Sequence, residues 1–210
     1  MTVATFRISD RTDRSPIGYR VRVRRLSEIR AVVMHQMGVG TWAENNPMFD
    51  RVRAHFVVLP SGLVLQLHPI SQRMRYGCGH GNESAINIEF AGNFPTSYSN
   101  GKPVYWKPEK FGRSVLSPAQ IEAGRALLAW LAGQVRGLQV GAHRQLEEGK
   151  PGCCGPDLWR EVGQHAVDVL GLGEMPTNGG LDIPDDWRGS ASPILREYTG
   201  PLSVAANVAP

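Results

Sequence analysis

Short apolar runs recur along this 210-residue chain, and each is too brief for a typical helix. Runs of four to eight apolar residues bounded by turn signals favour buried strands, whereas helices need ten or more. They occupy residues 29–36, 54–59, 63–67, 84–91 and 138–142. The second and third flank Pro60, Ser61 and Gly62, which is typical of a β-hairpin. The pattern restricts the chain to folds built on a β-sheet.

Two helices are expected beside this sheet. Ser117 and Pro118 suit the N-cap and the first helical position, and the following apolar residues recur at helical spacing. A second amphipathic pattern runs from Pro156 to about Leu170. The order is strand, hairpin, strand, helix, strand, loop and helix. It predicts an α/β fold, with a single domain in which helices flank a mixed central β-sheet.

Composition divides the chain into three parts. Residues 1–28 are polar and charge-rich, and we interpret them as an arm or peripheral strand. Residues 29–172 form the main domain, in which the Pro-, Gly- and Ser-rich stretch 93–115 is predicted to be a long loop. Residues 173–210 are a partly irregular extension that wraps the domain or stays mobile. The basic run 20–25 alternates like an edge strand with a solvated face.

Bulk properties limit the partners. The net charge is +4, a mild excess that favours approach to anionic polymers such as nucleic acid or bacterial cell wall. No motif supports nucleic acid, so none is expected. No apolar stretch reaches the roughly 18 residues of a membrane span. The N-terminus lacks the apolar core of a signal peptide, so we expect synthesis in the cytoplasm. Three cysteines are too few for a disulfide framework.

Three residues form a candidate metal site. His35 closes one apolar run, His143 follows another, and Cys153 comes ten residues after His143. A single histidine at a strand end is usually structural. Two of them with one soft ligand form the set that leaves zinc an open position for water. The residues therefore predict a Zn²⁺ site and a hydrolase, with Cys154 as the alternative third ligand.

Six segments follow one another in an order that resembles a known family. They are residues 32–35, 54–66, 84–89, 117–120, 141–145 and 153–156. They resemble the type 2 N-acetylmuramoyl-L-alanine amidases, which include peptidoglycan recognition proteins and phage lysozyme-like amidases. The resemblance covers about residues 28–172 and implies that 29–172 is a catalytic domain. It also implies zinc as cofactor and peptidoglycan or muropeptides as substrate, with hydrolysis of the amide between N-acetylmuramic acid and L-alanine.

By this resemblance, His35, His143 and Cys153 are the zinc ligands, with Cys154 standing where the family has proline. Glu89 matches the general base of the branch that acts on anhydro-muropeptides. Its alternative role is to hydrogen-bond a ligand histidine. Other branches use a tyrosine just before the hairpin histidine, where this chain has Ala54. That absence adds weight to Glu89.

Lys150 lies near the family lysine that stabilises the oxyanion. It stands three residues before Cys153, where the family spacing is two, so a solvated loop lysine is the alternative.

Four further residues are candidates for substrate binding. His80 and Asn82 lie in a glycine-rich loop that permits close backbone approach. His55 is expected at the floor of the site, as a structural residue or a contact. Trp42 is in a predicted loop, where it either stacks on a sugar or packs against the core.

Two other functions stay open at this stage. One is a peptidoglycan-binding module of the same fold without catalysis. The other is a cysteine hydrolase that uses Cys153 or Cys154 with His143. The expected setting is an endolysin released with a holin, or an antibacterial effector with secretion and immunity partners. Either would act on the cell wall after release or delivery. A cytosolic enzyme acting on soluble muropeptides is the third setting.

Overall fold

The computed structural model describes residues 6–39 and 42–189. Its strands are β1 (Arg7–Asp10), β2 (Arg20–Val23), β3 (Ala31–Gln36), β4 (Phe56–Val58), β5 (Leu63–Gln66), β6 (Gln72–Met74), β7 (Ala85–Phe90), β8 (Pro95–Ser99), β9 (Lys102–Tyr105), β10 (Gln139–Ala142) and β11 (Gly173–Glu174). The helices are α1 (Pro108–Phe111), α2 (Pro118–Gln134), α3 (Pro156–Leu158) and α4 (Gln164–Asp168), with a π-helical stretch, Trp159–Gly163, joining the last two. Short 3-10 helices lie at Ile17–Tyr19, Leu26–Glu28, Pro47–Arg51, Gly79–Glu83, His143–Gln145 and Asp185–Trp187.

The central sheet has the strand order β1-β5-β4-β7-β3-β10-β11. Strands β4, β7, β3, β10 and β11 run parallel to their neighbours in this order. Strand β5 is antiparallel to β4, and β1 is parallel to β5. The predicted mixed sheet with flanking helices is therefore confirmed. Because the carboxyl ends of the parallel strands meet at one edge, residues at those ends are brought together.

The two faces of the sheet have different surroundings. Along β3, Val32 and Met34 belong to the main hydrophobic core with residues of α2 and the helical segment after Pro156. Successive strand residues point to opposite faces, so Val33 and His35 face the other side. There Val33 belongs to a second, smaller cluster with residues of the loops after β6 and β10. The candidate site lies on this second face.

Helix α2 begins as predicted. The Ser117 side chain accepts a hydrogen bond from Gln120 N at 3.0 Å, and Pro118 occupies the first turn. The buried Gln120 amide then donates to the carbonyl oxygens of Val58 and Ala91. These bonds fix the helix against the sheet.

The prediction of a long loop over 93–115 was wrong. Strands β8 and β9 pair antiparallel, and α1 follows them. Asn100 and Gly101 both have positive φ at the turn, the geometry that Asn-Gly supplies to a tight hairpin. The turn-forming residues that suggested a loop thus include the two that make the hairpin possible.

The two ends of the described chain join the folded body. Strand β1 forms one edge of the central sheet, while β2 pairs with β6 in a separate two-stranded sheet. Strand β11 forms the other edge, and Ile183 and Trp187 are buried in the main core. The proposed boundaries after residues 28 and 172 stay predictions, and residues 190–210 of the extension lie outside the described part. None of the helices described here is both long and apolar enough to span a membrane.

Candidate metal centre

Strand pairing brings the two predicted histidine ligands together across 108 residues of sequence. Strands β3 and β10 are parallel, with Met34 opposite Ala142, so His35 and His143 leave the sheet side by side. Their Nδ1 atoms lie 3.0 Å apart. Cys153 completes the group, since one ligand atom from each of the three residues lies within 4.8 Å of the others.

The outer nitrogens of both histidines have oxygen partners. His35 Nε2 lies 3.1 Å from Asn87 Oδ1, and His143 Nε2 lies 2.8 Å from Glu147 Oε2. Both oxygens accept, so each Nε2 carries the proton and each Nδ1 presents a lone pair. Two lone pairs that face each other beside a thiol fit a bound cation. Oriented outer partners of this kind are typical of zinc-ligating histidines.

Sequence reasoning missed Asn87 and Glu147. A signal for each was present: Asn87 alternates with Glu89 along β7, and Glu147 stands four residues after His143. Their roles depend on which ring nitrogen faces outward, and that is visible only in three dimensions.

Burial sets the protonation of the three residues. It lowers the pKa of His35 well below its usual value, and the nearby His143 adds to the effect. Burial likewise lowers the pKa of His143. It raises the pKa of the Cys153 thiol to about 12, with a further contribution from Glu89. Neutral imidazoles are ready to ligate, whereas the thiol needs a cation beside it to ionise, and this argues against an unassisted cysteine nucleophile.

Cys154 points away from the metal group. Its side chain is fully buried in the main hydrophobic core, and it is not one of the three clustered ligand residues. The geometry thus favours Cys153 over Cys154 as the third ligand.

Glu89 lies opposite His35 in the register of β7 and β3. Its Oε2 atom is buried and has no hydrogen-bond partner among the described residues. Burial raises the pKa of this carboxyl to about 8, although the positive charge of Lys150 opposes the shift. A buried acceptor beside the ligand group with no protein partner is available to a water or a substrate.

Lys150 is exposed in the turn that leads to Cys153. Its N–H donates to Glu147 O and its carbonyl accepts from Cys153 N, both at 3.0 Å. Its charge acts on His35, Glu89 and Cys153 alike. The ammonium is therefore electrostatically part of the site, despite the shifted spacing.

His55 does not have the free polar group that a substrate contact needs. Its ring is fully buried, its Nδ1 accepts from Asn87 N at 3.0 Å, and its Nε2 donates to Gln72 O at 2.8 Å. Burial lowers its pKa to about 3. His55 is a neutral support beneath Asn87.

The other predicted contacts lie around the loop after β6. The Asn82 side chain accepts from the N–H groups of Gly77 and Cys78 and donates to Gly79 O, so it holds the loop together. His80 is exposed and lines a pocket of about 380 Å³ with Arg73, Arg75 and Tyr76, among others.

Trp42 lies apart from this loop. It packs edge-on against Phe49, with ring centroids 5.1 Å apart, in the cluster beneath the β4–β5 hairpin.

Known proteins place the chain among peptidoglycan-related folds. The model of the N-acetylmuramoyl-L-alanine amidase family matches residues 25–156. In sequence, no curated protein gives a match. Among solved structures, the N-acetylmuramoyl-L-alanine amidase LysC from Clostridium intestinale URNW aligns with TM-score 0.54 and 13% identity, covering 80% of this chain and 99% of that one.

Two Drosophila proteins show the same fold. Peptidoglycan recognition protein SD aligns with TM-score 0.56 and 17% identity, and PGRP-LB with TM-score 0.55 and 11% identity. Each alignment covers 82% of this chain and 99% of the other. At such identities the structures establish the fold alone, whereas the family match spans more than half of the sequence. The chain belongs to the N-acetylmuramoyl-L-alanine amidase family.

Proposed function

We propose that this protein is a zinc-dependent peptidoglycan amidase that hydrolyses the amide bond between N-acetylmuramic acid and L-alanine. The observation that carries the proposal is the meeting of His35, His143 and Cys153 beside the unpartnered carboxylate of Glu89. A peptidoglycan-derived ligand is supported by a relative in fold, since Drosophila PGRP-LB has been solved in complex with tracheal cytotoxin.

The donor set suits zinc. Two neutral imidazoles and one thiol would hold the ion, and Asn87 and Glu147 would keep the ring orientations fixed. When bound, zinc supplies a Lewis acid that polarises a carbonyl and lowers the pKa of water.

Glu89 is the proposed general base and then the general acid. Its carboxylate takes a proton from the attacking water, whose oxygen adds to the lactyl carbonyl carbon. The carbon–nitrogen bond then breaks, and Glu89 returns the proton to the departing amine of L-alanine. A pKa raised to about 8 suits a group that must both accept and donate near neutral pH.

Lys150 and the loop around His80 have supporting roles in this scheme. The exposed ammonium of Lys150 stabilises the negative charge that develops on the carbonyl oxygen. His80 contacts the substrate, and Asn82 keeps the loop in the conformation that presents it. His55 is proposed to stabilise the site from below, and Trp42 to pack against Phe49 rather than bind a sugar.

The reaction is tested by the products from purified peptidoglycan. The zinc-loaded protein should release peptide stems with a free L-alanine amine and leave glycan strands whose muramic acids carry a free lactyl carboxylate. Mass spectrometry distinguishes this cut from cleavage within the glycan or the stem. A protein that binds peptidoglycan and releases nothing would instead be a binding module, and the amidase proposal would fail.

The biological setting remains a proposal. Endolysin-like relatives in fold favour an enzyme that degrades the cell wall after release or delivery. We retain the endolysin and the antibacterial effector as settings, with a holin, a secretion system or an immunity protein as the corresponding partner.

A further inference from the structure

Residues 173–188 lie beyond the segment that the family model matches, yet they pack against the turn that carries His143. We call them the C-terminal strap. We propose that the strap is a structural part of the metal centre, which holds His143 and Cys153 in place, and that Gly180 is its positioning residue. The inference rests on the proposed zinc site.

Backbone hydrogen bonds tie the strap to the chain on both sides of His143. Met175 N donates to Val140 O at 2.8 Å, before the histidine. Asn178 N donates to Gln145 O at 2.8 Å and Leu181 N to Arg144 O at 2.7 Å, after it. The strap thus covers the turn along its length.

Gln145 makes a second connection through its side chain. Its Oε1 accepts from Ala142 N at 2.9 Å, directly before His143, and its Nε2 donates to Met175 O at 2.7 Å. The residue is 1% exposed, so water does not compete for these bonds. Loss of the strap would leave a buried amide without its partner, which is costly.

Arg144 extends the connection to the third ligand. Its N–H donates to Cys153 O at 2.9 Å, while its carbonyl accepts from the strap at Leu181. Its guanidinium lies 4.6 Å from the ring centroid of Trp187. One residue therefore links the strap to Cys153, next in sequence to His143.

Gly180 is where the strap comes closest to the turn. A β-carbon there would lie 2.6 Å from both the carbonyl carbon of Gln145 and the nitrogen of Glu147, and would also clash with the carbonyl oxygen of Arg144. All three are backbone atoms, so no side-chain rotation can relieve the conflict. The same turn carries Glu147, the partner of His143 Nε2. Any side chain at 180 must push the strap and the turn apart.

The test compares Gly180→Ala with Gly189→Ala in the full chain. A β-carbon at Gly189 meets nothing within 4 Å, which makes it a matched control. Zinc affinity is measured by competition with a chromogenic chelator, and the thermal midpoint of each metal-free protein is measured in parallel. We expect Gly180→Ala to bind zinc at least about tenfold more weakly than wild type, with Gly189→Ala unchanged. The Co²⁺ absorption spectrum of Gly180→Ala should also differ from that of wild type.

A second measurement needs no substitution and serves if Gly180→Ala fails to fold. Coupling between sites is reciprocal, so zinc should slow hydrogen exchange at the amides of Asn178 and Leu181 in the wild-type chain. Equal zinc affinity in Gly180→Ala and wild type, or unchanged exchange at both amides, would overturn the role of the strap alone. A wild-type chain that binds no zinc would overturn the proposed function and this inference together.

Discussion

Glu89 has two properties that a general base needs. It lies beside His35 in the strand register, and its buried Oε2 has no hydrogen-bond partner among the described residues. Nearby groups satisfy Asn87 Oδ1 and the outer nitrogens of both histidines, so this carboxylate oxygen is the acceptor left for the reacting water.

Replacing Glu89 by glutamine should abolish turnover and keep zinc. Glutamine has nearly the same shape but cannot accept the proton, so peptide release should fall about 10²- to 10⁴-fold. Exposed Glu109 supplies the matched control, and Glu109→Gln should behave as wild type. Release is measured by mass spectrometry on preparations of equal zinc content. Undiminished turnover in zinc-loaded Glu89→Gln would remove the residue from the mechanism.

His55 makes stability depend on pH. Its folded pKa, near 3, is below the ordinary value of 6.5, so between these values only the unfolded chain takes up the proton. The contribution is complete above pH 6.5 and declines as the pH falls towards 3. Between pH 7 and pH 5 this residue alone should lower the free energy of unfolding by about 2 kcal/mol.

A titration by NMR checks this directly. The His55 ring should stay neutral at pH 5 in the folded protein and titrate near pH 6.5 in urea. A folded-state midpoint near 6.5 would contradict the buried, doubly bonded ring.

At the scale of elements, the β8–β9 hairpin contacts the loop that carries Cys153. Gln36, next to His35, joins them: its Nε2 donates to Gly152 O at 3.1 Å and its Oε1 accepts from Phe94 N at 2.8 Å. A β-carbon on Gly152 would press on the Thr96 side chain, so the hairpin and the loop are in close contact. The region predicted to be a loop is a wall beside the metal centre.

Removing this link should cost stability. Gln36→Ala deletes both hydrogen bonds and leaves the Phe94 N–H without its partner, so the free energy of unfolding should fall by about 1–3 kcal/mol. Exposed Gln134, at the end of α2, provides the control, and Gln134→Ala should change stability little. Urea denaturation of both variants measures the difference. Equal stabilities would show that the link is not structural.

Elements with local signals could be predicted from sequence, and contacts between distant segments could not. Helix α2 carries its own cap in Ser117 and Pro118, and β3 and β7 carry apolar runs, so each was predicted near its observed bounds. The β8–β9 hairpin was missed because its strands are rich in polar residues and Pro. Asn87, Glu147 and Gly180 were missed because their roles depend on ring orientation or backbone approach.

For the whole molecule, the topology explains why the ligands are so widely separated in sequence. Parallel pairing of β3 with β7 and β10 delivers His35, Glu89 and His143 to one edge, and the turn after β10 returns with Cys153. The fold and the family could be anticipated because these segments keep their order. The contribution of the C-terminal strap could not, because its sequence has no periodic pattern.

The most direct test of the account is a zinc titration of the metal-free protein acting on purified peptidoglycan. We predict that chelation abolishes stem release and that activity returns in proportion to bound zinc, reaching its maximum at one equivalent. His143→Ala should show neither binding nor recovery over the same range. Stem release that persists in protein shown to contain no zinc would contradict the central claim.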